Sequence, residues 1–253
     1  MLKITELRKL VRESGAVLAE MLAQAQSREG SIQALTSQQK NIQQEMEDSA
    51  EKLEHKMYDG LTCCLHCLEQ CQSLPLSKEE VKKELQKCLR SIKNKQQFAQ
   101  LGQSLLQNTS WKDHFGLSDA CMKALYEAAR TIFEEKDYHR AENAFFVICA
   151  IDPTQFAYWI GLGHSSFQIQ DYQQALRSYS MASAIDPGNI WPHIWAANCF
   201  EEEQEYLFAA MALNEALAIQ RSKSPKDLDV ILSIEERIRK IHRNTEGGCH
   251  ESK

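Results

Sequence analysis

The chain has 253 residues, 43% hydrophobic and 25% charged, with only 10 glycines and 5 prolines. That length holds one or two domains with a sizeable core, and so little turn chemistry excludes a many-stranded sheet and favours helices. A formal net charge of -6 speaks against a nucleic-acid partner, because such binding is driven by Lys and Arg neutralising phosphates.

Taken in chain order, the first residues intersperse Lys3, Arg8, Lys9 and Arg12 among apolar positions, so they lack the apolar core of a signal peptide. The longest purely apolar run, Ala144 to Ile151, is far short of the ~20 residues that cross a bilayer. A cytoplasmic protein without membrane insertion is expected, its nine cysteines reduced rather than paired. Residues 27–56 are rich in Gln, Glu and Lys, with Ile32, Leu35, Ile42, Met46 and Leu53 on three- and four-residue spacing. That is a weak heptad, since Gln39 and Ser49 fill two seam positions, and two readings stay open: a coiled coil and a solvated amphipathic helix. A helix over roughly 61–73 ends before Pro75, and Ser77 with Glu80 forms a capping box. The next helix runs through Val81, Leu85, Leu89 and Ile92 towards Leu105, and residues 108–115 form a linker. Residues 1–110 thus read as a helical N-terminal region, a candidate coiled coil or oligomerisation element.

Within that region Cys63, Cys64, Cys67 and Cys71, with His66, raise the question of a metal. Zinc needs ligands converging tetrahedrally, usually from two elements joined by a turn. Here Cys64, Cys67 and Cys71 share one face of a single helix and no second cluster answers them. Core packing of small hydrophobic thiols is expected, and no metal or other cofactor.

The strongest signal in the chain begins at residue 122. Residues 122–155 and 156–189 align at a period of 34. Both carry Asp-Tyr (Asp137-Tyr138, Asp171-Tyr172), then Ala141 or Ala175, then Phe145 or Tyr179, and both close on Ile-Asp-Pro (Ile151 to Pro153, Ile185 to Pro187). The second adds Trp159, Leu162, Gly163 and Ala182; a third unit, 190–223, keeps the register with Tyr206, Ala209 and Ala216 but lacks the closing Asp-Pro. Period and signature resemble the tetratricopeptide repeat. The small residues let paired helices approach closely, and Pro153 and Pro187 end one unit before the next begins. After Pro225 a last helix, to about 243, has Leu228, Ile231, Leu232, Ile234, Ile238 and Ile241 as a one-sided stripe and caps the array. Residues 244–253 are expected to be a disordered tail. The expected fold is all-α: a three-repeat superhelix over 111–243 with its capping helix, preceded by the helical N-terminal region.

Nothing carries catalysis. There is no glycine-rich loop after a strand, no HExxH and no GxSxG, and His164 stands without a nucleophile or carboxylate at defined spacing. An enzyme is therefore not expected. In a tetratricopeptide superhelix the first helix of each repeat lines the concave face. Helix phase then turns Tyr126, Arg130 and Phe133 inward from the first repeat, Ile160, His164 and Phe167 from the second, and Trp191, Ile194 and Asn198 from the third. Such a lining suits an extended peptide anchored by apolar side chains. The competing reading is that Tyr126, Phe133 and Phe167 only pack between helices. A carboxylate clamp, which needs Lys, Asn and Arg inward, fits poorly where the sequence offers Tyr126, Gly161, Trp191 and Trp195.

The run Asp113 to Glu127, then Lys136-Asp137-Tyr138, Ala141 and Phe145, resembles the bacterial type III secretion translocator chaperones of class II. The likeness continues through Tyr158 to Gly163, Tyr172 with Ala175, and Ala196 to Cys199. The resemblance covers roughly residues 111–222. It implies a cytoplasmic chaperone, commonly dimeric, that holds a short extended segment of a secreted, hydrophobic translocator or effector protein, with Tyr126 and Phe133 at aromatic client-binding positions. Arg130 stands where that family often has an aromatic, and the long N-terminal half departs from it. The alternative expectation is a scaffold subunit of a secretion apparatus that oligomerises through its N-terminal helices.

Overall fold

The computed structural model describes residue 56 and residues 59–68, 77–91, 112–113, 116–223 and 227–247. The heptad of residues 27–56 lies, apart from Lys56, outside the described residues, as do Cys71, residues 92–111 and residues 248–253. Every regular element among the described residues is a helix. They are α1 (residues 59–67), α2 (Lys78–Ser91), α3 (Asp119–Glu134), α4 (Tyr138–Ile151), α5 (Phe156–Gln168), α6 (Tyr172–Ile185), α7 (Trp191–Glu202), α8 (Tyr206–Ser222) and α9 (Leu228–Gly247). The chain is all-α, and α3/α4, α5/α6 and α7/α8 are the three expected repeat pairs.

Each pair turns in the same way. Lys136, Gln170 and Gln204 have φ of 63, 64 and 60°, at the 34-residue period of the sequence. In the first turn Lys136 N–H donates to Phe133 O (2.9 Å) and Asp137 N–H to Ile132 O (3.3 Å). The second and third turns repeat the pattern with Gln170 and Asp171, then Gln204 and Glu205. This is the Schellman closure, here on residues other than glycine. The next helix then starts on a cap: the Asp137 carboxylate accepts from Arg140 N–H (3.3 Å) and Asp171 from Gln174 N–H (3.0 Å). Glu205, one methylene longer, makes no such bond. The helices α4 and α6 stop at Ile151 and Ile185, just before Asp-Pro. At the matching place the third repeat has Gln220 and Arg221, and α8 accordingly runs 17 residues where α4 and α6 run 14.

Two compact units part after Pro153. In the first, Leu125, Ile132, Val147 and Ile148 are fully buried between α3 and α4, each contributing ~1.5–3 kcal/mol. Helices α1 and α2 pack on the same pair. Gly60 brings α1 against α4 so closely that a Cβ there would sit 2.1 Å from Asn143 O and 2.5 Å from Val147 Cγ2. Lys56 pairs with the buried Glu142 and lies over the Phe146 ring at 4.9 Å. The Ser77–Glu80 capping box forms as expected, with Ser77 N–H donating to Glu80 Oε2 (2.8 Å) and Glu80 N–H to Ser77 Oγ (3.3 Å). From α2, Glu84 accepts both the N–H (3.0 Å) and the hydroxyl (2.8 Å) of Ser118, the residue that caps α3.

In the second unit α9 closes the array. Ile231, Ile234, Ile238 and Ile241 are buried in one cluster with Leu213, Ala216 and Leu217 of α8. Leu228 and Leu232, expected in the same stripe, are instead 64% and 56% exposed. The buried seam follows 3-4-3 spacing, and Leu232 lies about 100° round the helix from Ile231. The helix begins on Asp227, whose carboxylate accepts from Val230 N–H (3.2 Å). It runs to Gly247, past the expected end at 243, because no breaker precedes the Gly247-Gly248 pair.

Candidate functional site

The residues expected on the concave face are assembled differently in the two units. In the second unit the organising contact is between Gly163 of α5 and Tyr179 of α6. A Cβ at Gly163 would meet Tyr179 Cε1 at 2.4 Å, so only glycine lets this ring, 2% exposed, pass under α5. Its hydroxyl thereby reaches His164, at 3.0 Å from Nδ1. Burial pushes the Tyr179 phenol up and, with no counter-charge in attendance, the His164 imidazole down. His164 stays neutral at neutral pH.

The helix α7 completes the face. Its first turn is set by Asn189, which accepts the Trp191 N–H at 3.1 Å, and by Pro192 at a position where the missing N–H costs nothing. Trp195 then lies edge-on to His164, ring centroids 4.5 Å apart, and 5.7 Å from Tyr179. Trp191 stacks on Trp195 at 6.0 Å and is 50% exposed. Ile160 and Phe167 are half-buried against Tyr179, Ala175 and Cys199, and Phe167 also packs on Tyr172 at 5.6 Å. Four expected residues, Ile160, His164, Phe167 and Trp191, are thus brought onto one aromatic and aliphatic surface. Trp195 and Tyr179 join it. The Gly-aromatic pair eight and twenty-four residues into the repeat was the sequence signal for Tyr179.

Ile194 and Asn198 have other engagements. Ile194 packs against the core shared by α7, α8 and α9. The Asn198 side-chain carbonyl accepts from Arg237 of α9, which also pairs with Glu201 at 2.8 Å. Two lone pairs on that carbonyl leave room for a further donor. No pattern in the sequence linked α9 to this position.

In the first unit Tyr126 is half-buried, edge-to-face with Phe145 at 6.1 Å, and Phe133 rests on Tyr138 at 5.3 Å. Arg130 is exposed and pairs with Glu127 (2.9 Å) and Glu134 (3.0 Å) of its own helix. The hydrogen bond it donates to Glu127 is the main reason its pKa is raised. The cysteine helix α1 packs inward: Cys64 is fully buried, its thiol donating to Leu125 O at 3.9 Å, Cys67 is 3% exposed, and Cys63 is half-buried beside Arg140. Burial, helped by Cys63 and Cys67, pushes the Cys64 thiol far up, which suits a packed thiol rather than a thiolate ligand. Among the described residues no group of three or more His, Cys, Asp or Glu is placed to hold a metal ion, and no helix is long and apolar enough to cross a membrane.

No family model matches the sequence, and no curated protein matches it. Solved structures do. A T3SS (type III secretion) complex from Aeromonas hydrophila matches with a TM-score of 0.52 and 16% identity, over 58% of this chain and 97% of the other. At that identity the likeness is one of fold. The type III secretion translocator chaperone SycD of Yersinia enterocolitica overlaps less well, with a TM-score of 0.47 and 20% identity over 52% of this chain and 98% of its own. PcrH, in complex with the chaperone-binding region of PopD, gives 0.47 and 21% over 51% and 97%.

Proposed function

We propose that this chain is a cytoplasmic chaperone, not an enzyme, that holds an extended segment of a secreted, hydrophobic translocator or effector protein against the inward faces of its repeats. The observation that carries the reading is the α5–α7 face. A half-exposed tryptophan stacked on a second, with a neutral imidazole beside them, has the make-up of an interface hot spot: rigid aromatic area that is costly to leave in water. The motif order over residues 111–222 and the fold likeness support it. Tyr126 and Phe133, in the first unit, would be further client contacts, and the chain would act as a dimer.

A second reading, a scaffold subunit of a secretion apparatus, is favoured by one feature. On α8, Leu207, Phe208 and Met211 are 70%, 49% and 56% exposed, where the preceding repeat has Gln173, Gln174 and Arg177. Copurification of the full chain from its host, with mass spectrometry of the bound proteins, separates the two. A soluble complex with a membrane-inserting secreted protein supports the chaperone; recovery with apparatus subunits alone overturns it.

A further inference from the structure

His164 carries one polar ring into a surface that is otherwise aromatic and aliphatic, and Tyr179 decides which proton it shows. Among the described residues His164 Nδ1 is the sole hydrogen-bond partner of the buried Tyr179 hydroxyl. Two arrangements satisfy the 3.0 Å contact. In one, the tyrosine O–H donates to Nδ1 and the imidazole proton sits on Nε2. In the other, Nδ1–H donates to the phenol oxygen, and the buried O–H points at no acceptor. Folded proteins tolerate an unfilled oxygen lone pair more readily than a buried donor without a partner. The first arrangement wins, and the tautomer follows from it.

The Nε2 atom has no partner among the described residues, and His164 is not fully buried. The rings of Tyr179 and Trp195 stand against it, in one cluster with Ile160, Phe167 and Cys199; the Tyr179 phenol and the Cys199 thiol of that cluster are pushed up by burial and so uncharged. A neutral donor in uncharged surroundings matches a neutral acceptor. An extended segment presents one at each residue, its main-chain carbonyl. We propose that His164 donates its Nε2–H to a main-chain carbonyl of the bound segment, fixing its register, and that Tyr179 is the positioning residue that holds the tautomer. This rests on the α5–α7 face being the client surface.

Long-range proton–nitrogen NMR of the imidazoles in the full chain, with His164 assigned by H164Q, tests the first half without any ligand. The wild type should show the Nε2–H form alone at neutral pH, and Tyr179→Phe, which keeps the ring, should mix the two tautomers. An Nδ1–H form in the wild type overturns the proposal. For the second half the probe is a fluorescein-labelled peptide of alternating leucine and serine, followed by anisotropy. His164→Leu should weaken binding about tenfold, while H164Q, whose amide nitrogen substitutes for Nε2, stays within about threefold. Equal binding by H164L overturns the hydrogen bond. If the wild type does not bind the peptide, the client surface itself is lost and the hydrogen bond with it, whatever the tautomer.

Discussion

Replacing Gly163 with alanine sets two effects of opposite sign against each other, and the structure decides between them. Alanine in a helix interior is better than glycine by about 1 kcal/mol. Against that, the new methyl would stand 2.4 Å from Tyr179 Cε1, 2.8 Å from Cδ1 and 3.0 Å from Cζ. Carbon atoms rest at roughly 3.5–4.0 Å, so the ring would have to retreat by about 1 Å. Tyr179 has nowhere to go: it is 2% exposed, tied to His164 at 3.0 Å and backed by Trp195. Overpacking of this kind costs about 2–3 kcal/mol, leaving a net loss of about 1–2 kcal/mol. In a chain of this size that lowers Tm by roughly 3–6 °C. Urea unfolding followed by tryptophan fluorescence, with Trp191 and Trp195 as reporters, and by far-ultraviolet circular dichroism measures it. In a Tyr179→Leu background, where the ring is gone, the same alanine should be neutral or stabilising by up to ~1 kcal/mol. A Gly163→Ala variant more stable than wild type would refute the argument, because helix propensity would then have prevailed over packing.

Three further outcomes follow from the same contacts. Gly60→Val should lift α1 from α4, since its Cβ would fall 2.1 Å from the Asn143 carbonyl. Pulsed alkylation with peptide mass spectrometry should then find Cys64 and Cys67 labelled at least about tenfold faster, and unchanged rates would contradict the docking of α1. Gln170→Gly relieves a left-handed residue at φ 64° and should raise stability by up to ~1 kcal/mol in urea titration, unlike the same change at Gln174 inside α6, which should lower it. Burial lowers the pKa of His164 and, against an opposing pull from Glu215, that of His193 below the usual 6.5. The unfolded chain therefore binds protons where the native chain resists them, and stability is complete above pH 6.5 and falls as pH drops below it. Urea midpoints across that range should show the fall, with a shallower slope in His164→Phe; a flat profile would contradict the burial of both rings.

Much of the fold was legible because a 34-residue repeat states the same local solution more than once. The stops before Pro153 and Pro187 follow from backbone chemistry within a few residues, and the small residues Gly163, Ala175 and Ala182 recur where paired helices come close; the Asp-Tyr pairs marked the repeat, and the structure adds that Asp137 and Asp171 are caps. The left-handed turn residues were not legible, since lysine and glutamine stand where glycine would have announced them. The site was legible in part. Helix phase brought His164 and Trp191 to one face, yet it could not show that Asn198 is held by Arg237, 39 residues further on. Nor could it show that α1 docks on α4, which depends on Gly60 meeting a main-chain carbonyl 83 residues away. Contacts of that range come from tertiary packing, and a single helix's periodicity does not encode its partner. Leu228 and Leu232 make the same point in reverse: apolar spacing placed them inside, and they lie exposed, off the isoleucine seam that packs on α8.

The central claim is that a secreted protein's extended segment lies across the α5–α7 face. A photoreactive phenylalanine analogue in place of Trp191, with one at the exposed Arg177 as control, tests it directly in the full chain in its host. The claim predicts a light-dependent adduct from position 191, absent from 177, with the cross-linked peptide drawn from an apolar extended stretch of a secreted protein. Adducts from position 191 confined to apparatus subunits or to a second copy of the chain would contradict it.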